Sequence, residues 1–130
     1  MIRSLILAAS LVLLAPPAFA QAAAGVELAN KAALREPSAS GYRNAVQVYP
    51  YSEGALYRLF AAPERVSDIA LQPGETLTSV AAGDTVRWTV GDTTSGSGEG
   101  RRTHILVKPF TAGLSTNLVI AADALLFSRT

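Results

Sequence analysis

Closely spaced turn signals constrain the fold of this chain more than any other feature of its sequence. Pro73-Gly74 and Gly83-Asp84 enclose a short run that contains Thr and Val residues, and a segment with Trp88 follows. Proline presets the second position of a type II turn, and glycine accepts the positive φ of the third position. Because the enclosed run has the length of a strand and is shorter than an average helix, we expect a strand bounded by two chain reversals.

Two segments after these turns alternate between apolar and polar residues, which is the pattern of a half-buried strand. The apolar faces are formed by Val86, Trp88 and Val90 in "TVRWTV" and by Ile105 and Val107 in "THILVK". Short strands at this spacing, separated by Gly and Pro, predict an all-β fold with an antiparallel sandwich or a barrel-like sheet.

Two connections between the predicted strands can also be assigned. "VQVYP" and "ALYRLF" are separated by residues 51–54, which have the composition of a hairpin loop. Residues 91–102, "GDTTSGSGEGRR", contain four glycines and no apolar side chain. This composition predicts a flexible, exposed loop between the Trp88 strand and the His104 strand.

The first twenty residues have the composition of a signal peptide. Arg3 supplies the positive charge, Leu5 to Leu14 supply the apolar stretch, and Ala18-Phe19-Ala20 supplies a small-residue cleavage site. The apolar stretch is shorter than the roughly 20 residues that a membrane-spanning helix needs. We therefore expect cleavage after Ala20 and export of the mature chain, in preference to a retained membrane anchor.

An alanine-rich segment separates the predicted leader from the first strand. Residues 21–40 carry a weak helical stripe of apolar side chains, and Pro37 would end any helix there. We expect a loosely ordered or weakly helical arm and favour the loosely ordered form. Residues 41–130 then form the predicted β domain.

The net charge of the chain limits the partners that we expect, and its cysteine content limits the covalent links and metal ligands that it can form. The chain has 11 Lys and Arg residues and 10 Asp and Glu residues, and one basic residue lies in the predicted leader. The mature chain is therefore formally neutral, so we expect no direct binding of nucleic acid or of an anionic membrane. The chain has no cysteine, which excludes disulfides and thiolate metal ligands.

The sequence predicts no catalytic, cofactor-binding or metal-binding residue. His104 is the one histidine, so a metal site would lack a second imidazole, and no serine on a strained turn indicates a catalytic triad. Gly91 to Gly96 has the glycine spacing of a P-loop but lacks the lysine and the following helix. We expect His104 to be a solvated or hydrogen-bonded surface group. Two alternatives stay open. One is a hydrolase that uses His104, and the other is a free-standing periplasmic binding module that uses the tyrosines near Pro50 and the loop of residues 91–102.

Four long blocks carry a family resemblance. They are "NAVQVYPYSEGALYRLFAAPERVSDIALQPGE", "AAGDTVRWTVGDTTSGSG", "RRTHILVKPF" and "GLSTNLVIAAD". In this order they resemble the N-terminal half of the TrbG/CagX family of conjugal transfer proteins, over residues 41–123. The positions that match the family's motifs are Pro73, Gly74, Glu75, Gly83, Asp84, Trp88, Lys108, Pro109 and Asn117.

The resemblance implies a structural scaffold and not an enzyme. It implies a β-sandwich in the periplasmic and outer-membrane core of a conjugative type IV secretion system, where many copies form a ring. The partners implied are neighbouring copies and the bitopic scaffold protein of that core. The family's C-terminal domain, which contacts a small lipoprotein, is expected to be absent from what looks like a truncated copy, so the lipoprotein contact cannot be assigned to this chain.

Overall fold

The computed structural model describes residues 18–124 of the 130-residue chain. The predicted signal peptide lies outside the described residues except for its last three positions. Within residues 18–124, no helix has both the length and the apolar character needed to cross a bilayer. The chain divides into two compact units, which meet between Leu59 and Phe60 in the sequence.

The described part of the first unit begins with helix α1, Ala18–Ala33. Its sequence is rich in alanine, the best helix former, and Lys31 lies in the last turn, where a positive charge is favourable. None of its residues is buried. Of the two forms expected for the arm, residues 21–33 adopt the helical one and not the favoured loosely ordered one, because intrinsic propensity forms a helix there without a packed apolar face.

After α1, the described part of the first unit contains a 3₁₀ turn at Ala39–Gly41 and four strands of two residues each, which form two pairs. The strands are β1 (Leu34–Arg35), β2 (Tyr42–Arg43), β3 (Val46–Gln47) and β4 (Leu56–Tyr57). Strand β1 pairs with β4 in parallel, and β2 pairs with β3 in an antiparallel hairpin. The predicted hairpin between "VQVYP" and "ALYRLF" is therefore wrong, since each of these segments pairs with an earlier part of the chain.

As far as residue 124, the second unit contains five longer strands in two antiparallel sheets. They are β5 (Ser67–Ala70), β6 (Glu75–Ala82), β7 (Trp88–Ser95), β8 (Arg102–Pro109) and β9 (Leu118–Ala124). One sheet has the order β5-β8-β7, and the other pairs β6 with β9, with a register irregularity between Leu77 and Ser79. This confirms the predicted all-β, antiparallel class, whereas the sandwich arrangement and the domain boundaries stay predictions.

Strand β8 supplies the core of the second unit. Its residues alternate along the whole strand, and Thr103, Ile105, Val107 and Pro109 are buried while the residues between them are half-buried. Ile105 is completely buried. The predicted opposition of Ile105 and Val107 to His104 is confirmed, because β8 is the central strand of its sheet and one face of it is covered.

Strand β7 differs from the expectation at both ends. It begins at Trp88, which is half-buried, while Val86 lies before the strand and is 80% exposed. Val86 therefore does not share a buried face with Trp88. At the other end β7 continues to Ser95, and residues 91–95 pair with β8. The predicted flexible loop is thus wrong for residues 91–95, where backbone pairing with the central strand overrides a glycine- and serine-rich composition.

Replacing Ile105 by alanine should strongly destabilise the second unit. The substitution removes buried methyl groups and leaves a cavity, a change that typically costs about 2–5 kcal/mol. Chemical denaturation followed by circular dichroism would measure this loss. The matched control is Val86→Ala, which should change stability by less than about 0.5 kcal/mol because Val86 is exposed. Equal effects of the two substitutions would contradict the assignment of the core.

Candidate functional site

The turn between β5 and β6 fastens that connection to the beginning of β8. Gly74 has a φ of 87°, as the predicted type II turn requires, and the Glu75 amide donates to the Gln72 carbonyl at 3.1 Å. The Glu75 carboxylate accepts a second hydrogen bond, from the Gln72 amide at 2.8 Å. The Gly74 amide donates to the Arg101 carbonyl at 3.0 Å. Pro73, Gly74 and Glu75 therefore lie in one turn whose backbone is tied to the residue before β8.

A second set of motif residues meets at the corner between β6 and β7. The Gly83 amide donates to the Asn117 carbonyl at 3.0 Å, and the Asp84 amide donates to the Thr116 hydroxyl at 2.9 Å. A Cβ atom on Gly83 would collide with the Asn117 side-chain oxygen. We call Gly83, Asp84, Arg87, Thr116 and Asn117 the Asp84 corner. It joins the connection between β6 and β7 to the segment that leads into β9.

The Asp84 carboxylate organises the chain that follows it. One oxygen accepts hydrogen bonds from the Val86 and Arg87 amides, each at 3.0 Å, and the other accepts from Arg87 Nε at 2.6 Å. The pKa of Asp84 is lowered, chiefly by the hydrogen bond from the Arg87 amide and further by the Arg87 side chain, against an opposing effect of desolvation. The ionised form of Asp84 thus holds the backbone that enters β7.

The remaining motif residues lie where β7 and β8 meet at one end of their sheet. Trp88 is the register partner of Pro109, and Thr89 is the partner of Lys108. Beyond the Trp88–Pro109 pair, the Phe110 amide donates to the Arg87 carbonyl at 2.9 Å, which extends the backbone pairing of the two strands by one residue. The indole Nε1 of Trp88 is buried and has no hydrogen-bond partner among residues 18–124.

The structure also brings together three residues that sequence reasoning did not connect. Ser95 Oγ lies 2.7 Å from His104 Nε2, and the two Asp68 carboxylate oxygens lie 2.8 and 3.1 Å from His104 Nδ1. We call these three residues the histidine cluster. Of the two states expected for His104, solvated or hydrogen-bonded, the structure has the hydrogen-bonded one, and Ser95 is a partner that no sequence signal indicated. The cluster depends on the strand order β5-β8-β7, which the sequence pattern did not predict.

The first unit carries a groove of about 570 Å³, and its lining includes three tyrosines, two arginines, one glutamate and several small polar residues. Its tyrosines are Tyr49, Tyr51 and Tyr57, and its basic residues are Arg35 and Arg43. The rings of Tyr49 and Tyr57 lie 5.3 Å apart between centroids, while Tyr51 is 85% exposed. We call this feature the tyrosine groove. It has the open aromatic surface that a binding module requires.

Hydrogen bonds to the backbone fix two of the three tyrosines. Tyr49 Oη donates to the Arg58 carbonyl at 2.9 Å, and Tyr57 Oη lies 2.6 Å from the Ser52 amide that donates to it. The pKa of Tyr49 is raised, first by desolvation and then by the nearby Glu36 carboxylate. The phenol of Tyr49 is therefore neutral and keeps its proton for the hydrogen bond to Arg58.

Within residues 18–124, no three His, Asp or Glu side chains converge in a way that could hold a metal ion. The motif residues occupy a turn, a corner and a strand end, and each position is explained by backbone hydrogen bonding or strand register. The side chains that could react or bind a ligand lie elsewhere, in the histidine cluster and the tyrosine groove.

Comparison with known proteins gives a family match over most of the described chain. Residues 44–130 match the model of the CagX family, which is described as a conjugal transfer protein. Over 62 residues the chain is 46% identical to the probable conjugal transfer protein TrbG of Sinorhizobium fredii (strain NBRC 101917 / NGR234). The alignment covers 48% of this chain and 23% of that relative, so it spans less than a quarter of the relative's length. No solved structure matches the chain.

Acidification should destabilise the fold through Asp84. A carboxyl whose pKa is lower in the folded chain than in the unfolded chain stabilises the fold above its unfolded pKa, and this contribution disappears as pH falls through the folded pKa. The ordinary value for Asp is 3.8, so the loss should occur below about pH 4. Urea denaturation at pH 3 and pH 6 would measure the difference in unfolding free energy.

The controls for this experiment are two asparagine variants. Asp84→Asn should lower stability at pH 6 and reduce the difference between pH 6 and pH 3, because the titrating group is removed. Asp92→Asn replaces an exposed carboxylate on β7 and should leave the pH dependence close to that of the natural chain. If Asp84→Asn retains the full pH dependence, the assignment to the Asp84 corner is wrong.

Proposed function

Because the chain belongs to the CagX family of conjugal transfer proteins, we propose that it is a structural subunit of a conjugative type IV secretion core complex. In this proposal it acts in conjugal DNA transfer without binding DNA directly. It is exported through its signal peptide to the periplasm, where it associates with the outer membrane. Its partners are other copies of itself in a ring and the bitopic scaffold protein of the core.

The observation that carries this proposal is the family match over residues 44–130, which includes the whole β5–β9 region. The placement of the motif residues supports it. These residues sit in the β5–β6 turn, in the Asp84 corner and at the Trp88–Pro109 strand end, where they fix backbone geometry. A subunit whose function is to fit against neighbours needs strand ends and turns held in one arrangement, since a register slip would turn each apolar face outward.

Single-cysteine variants offer a direct test of self-association, because the chain has no cysteine of its own. Val66, Val86 and Val119 are exposed and lie in different parts of the second unit. In donor cells that carry the complete transfer system, we expect at least one position to give disulfide-linked dimers after mild oxidation. A cysteine-free chain expressed in the same cells is the matched control.

The same variants expressed without the other transfer proteins distinguish assembly from random collision. Cross-linking should fall when the partner proteins are absent, and the cysteine-free chain should never cross-link. Affinity purification from envelope extracts should recover the bitopic scaffold protein with the cross-linked species. A protein that stays monomeric at every position, and that recovers no other transfer protein, would contradict the proposed function.

A second candidate function, a stand-alone periplasmic binding module, rests on the tyrosine groove. The groove combines an exposed ring of Tyr51 with guanidinium groups of Arg35 and Arg43. A ligand that binds only the folded state raises the melting temperature, with about 2.7 kcal/mol of stabilisation at 100 times its Kd. Thermal denaturation with panels of oligosaccharides and peptides would detect this.

The binding-module hypothesis predicts a melting shift that disappears in a groove variant. Tyr51→Ala removes a ring that is 85% exposed, whereas Tyr42→Ala removes a less exposed ring, at 49%, that does not line the groove. A ligand-induced shift lost in Tyr51→Ala and retained in Tyr42→Ala would support the module. The absence of any shift across both panels would remove this candidate.

A further inference from the structure

The strand register places Asp68, Ser95 and His104 on one face of the β5-β8-β7 sheet. Residue 104 lies between the buried residues 103 and 105, so its side chain points away from the core face. Its register partners are Ala70 on β5 and Thr93 on β7. Asp68 and Ser95 are each two residues from those partners, at the diagonal positions from which side chains can reach His104.

The partner at each ring nitrogen of His104 determines which atom donates in each hydrogen bond when the imidazole is neutral. A carboxylate can only accept, so the Asp68 oxygens at 2.8 and 3.1 Å require the proton of the neutral ring to be on Nδ1. Nε2 then carries a lone pair, and the Ser95 hydroxyl 2.7 Å away must donate to it. The hydroxyl proton of Ser95 therefore already points at the base that could remove it.

We propose that Ser95 is an activated nucleophile, with His104 as its general base and Asp68 as the positioning residue, and that activated esters acylate it. This serine–base–carboxylate connection is the arrangement that activates a serine in hydrolases of unrelated folds. The proposal assigns a site of covalent modification on this chain. It lies apart from the motif residues and goes beyond the scaffold role.

The acylation step balances within the three residues and the ester. Ser95 Oγ attacks the carbonyl carbon of the ester, and its proton moves to His104 Nε2. The carbon–oxygen bond to the leaving group breaks, and the leaving alkoxide or phenoxide takes the proton from Nε2. The products are the acylated serine, the free alcohol or phenol and a neutral imidazole, with no oxidant or further reactant consumed.

The exposure of the three side chains shows that a reagent in solvent can reach Ser95. Ser95 is exposed, and the Asp68 side chain is 47% exposed, whereas the His104 side chain is only 18% exposed. An ester in solvent can therefore reach the serine while the imidazole is held between its two partners. General-base catalysis contributes about 10²–10⁴-fold, which suits an activated ester, whose leaving group departs readily. This contribution from general-base catalysis is far smaller than the total rate acceleration of typical enzymes, which is about 10⁶-fold or more.

Ser97 provides an internal control for the reactivity of Ser95. It is also exposed, lies two residues later in the same hairpin and precedes the short 3₁₀ turn at Gly98–Gly100. The one imidazole of the chain is engaged by Ser95 through Nε2 and by Asp68 through Nδ1. Because both serines are exposed, a reagent that needs no activated serine should modify them at similar rates. A faster reaction at Ser95 would therefore report the contact with His104.

The test is to incubate the purified chain with an activated ester, p-nitrophenyl acetate, and to locate the acetyl adduct by peptide mass spectrometry. We expect modification of Ser95 about 100-fold faster than modification of Ser97, in line with the effect of a general base. This comparison within one molecule needs no variant. No adduct on Ser95 in the folded chain, or equal rates at the two serines, would overturn the proposal.

Variants then assign the roles. Ser95→Ala should abolish the fast adduct, Ser97→Ala should leave its rate unchanged, and His104→Gln should slow it by about 100-fold. Thermal melts would verify that each variant is folded. A His104→Gln variant that is folded and reacts at the natural rate would show that the imidazole is not the base, and would overturn the proposal.

Asp68 needs a readout that a purely structural role would not change. Asp68→Asn should slow the adduct, because an amide no longer fixes the proton on Nδ1. The ¹⁵N spectrum of the His104 imidazole should change at the same time from the Nδ1–H form toward the Nε2–H form. A folded Asp68→Asn variant with both the rate and the imidazole spectrum unchanged would contradict the positioning role.

Discussion

Strand β8 is the element on which the described part of the second unit depends. It is the central strand of the β5-β8-β7 sheet, and it pairs along both of its edges. Its alternation places Ile105 in the core and His104 on the opposite face. Because the side-chain period of a strand is two residues, a shift of one residue would exchange these faces. The core and the histidine cluster are therefore two consequences of a single register.

Backbone hydrogen bonds outside the ladders hold that register from both ends of β8. At its beginning, the Gly74 amide donates to the Arg101 carbonyl and the Leu71 amide donates to the Thr103 carbonyl. Beyond its end, the Phe110 amide donates to the Arg87 carbonyl. The Asp84 carboxylate in turn holds the Arg87 amide. The motif residues thus act on the sheet indirectly, because they position the turns and corners that set where β8 can pair.

The sequence predicts those parts of the fold that depend on local chemistry. The alternation around Ile105 and the positive φ of Gly74 are properties of a few consecutive residues, and both are present in the structure. The features that were predicted wrongly depend on which distant segment is the partner. Residues 91–95 have the composition of a loop, but they form a strand because β8 offers a complete row of backbone partners. Local propensity in a strand is readily overridden by such context.

The same reasoning explains why the histidine cluster could not be predicted and why it is separable from the fold. Asp68 and Ser95 are 36 and 9 residues from His104, and only the strand order brings them to it. Strands β5 and β7 are already joined to β8 by their backbone ladders. The side-chain contacts therefore add to a sheet that is paired without them, and Asp68 remains 47% exposed. Exposed contacts of this kind contribute little to stability. The contacts of the cluster should therefore affect the reactivity of Ser95 more than the stability of the sheet.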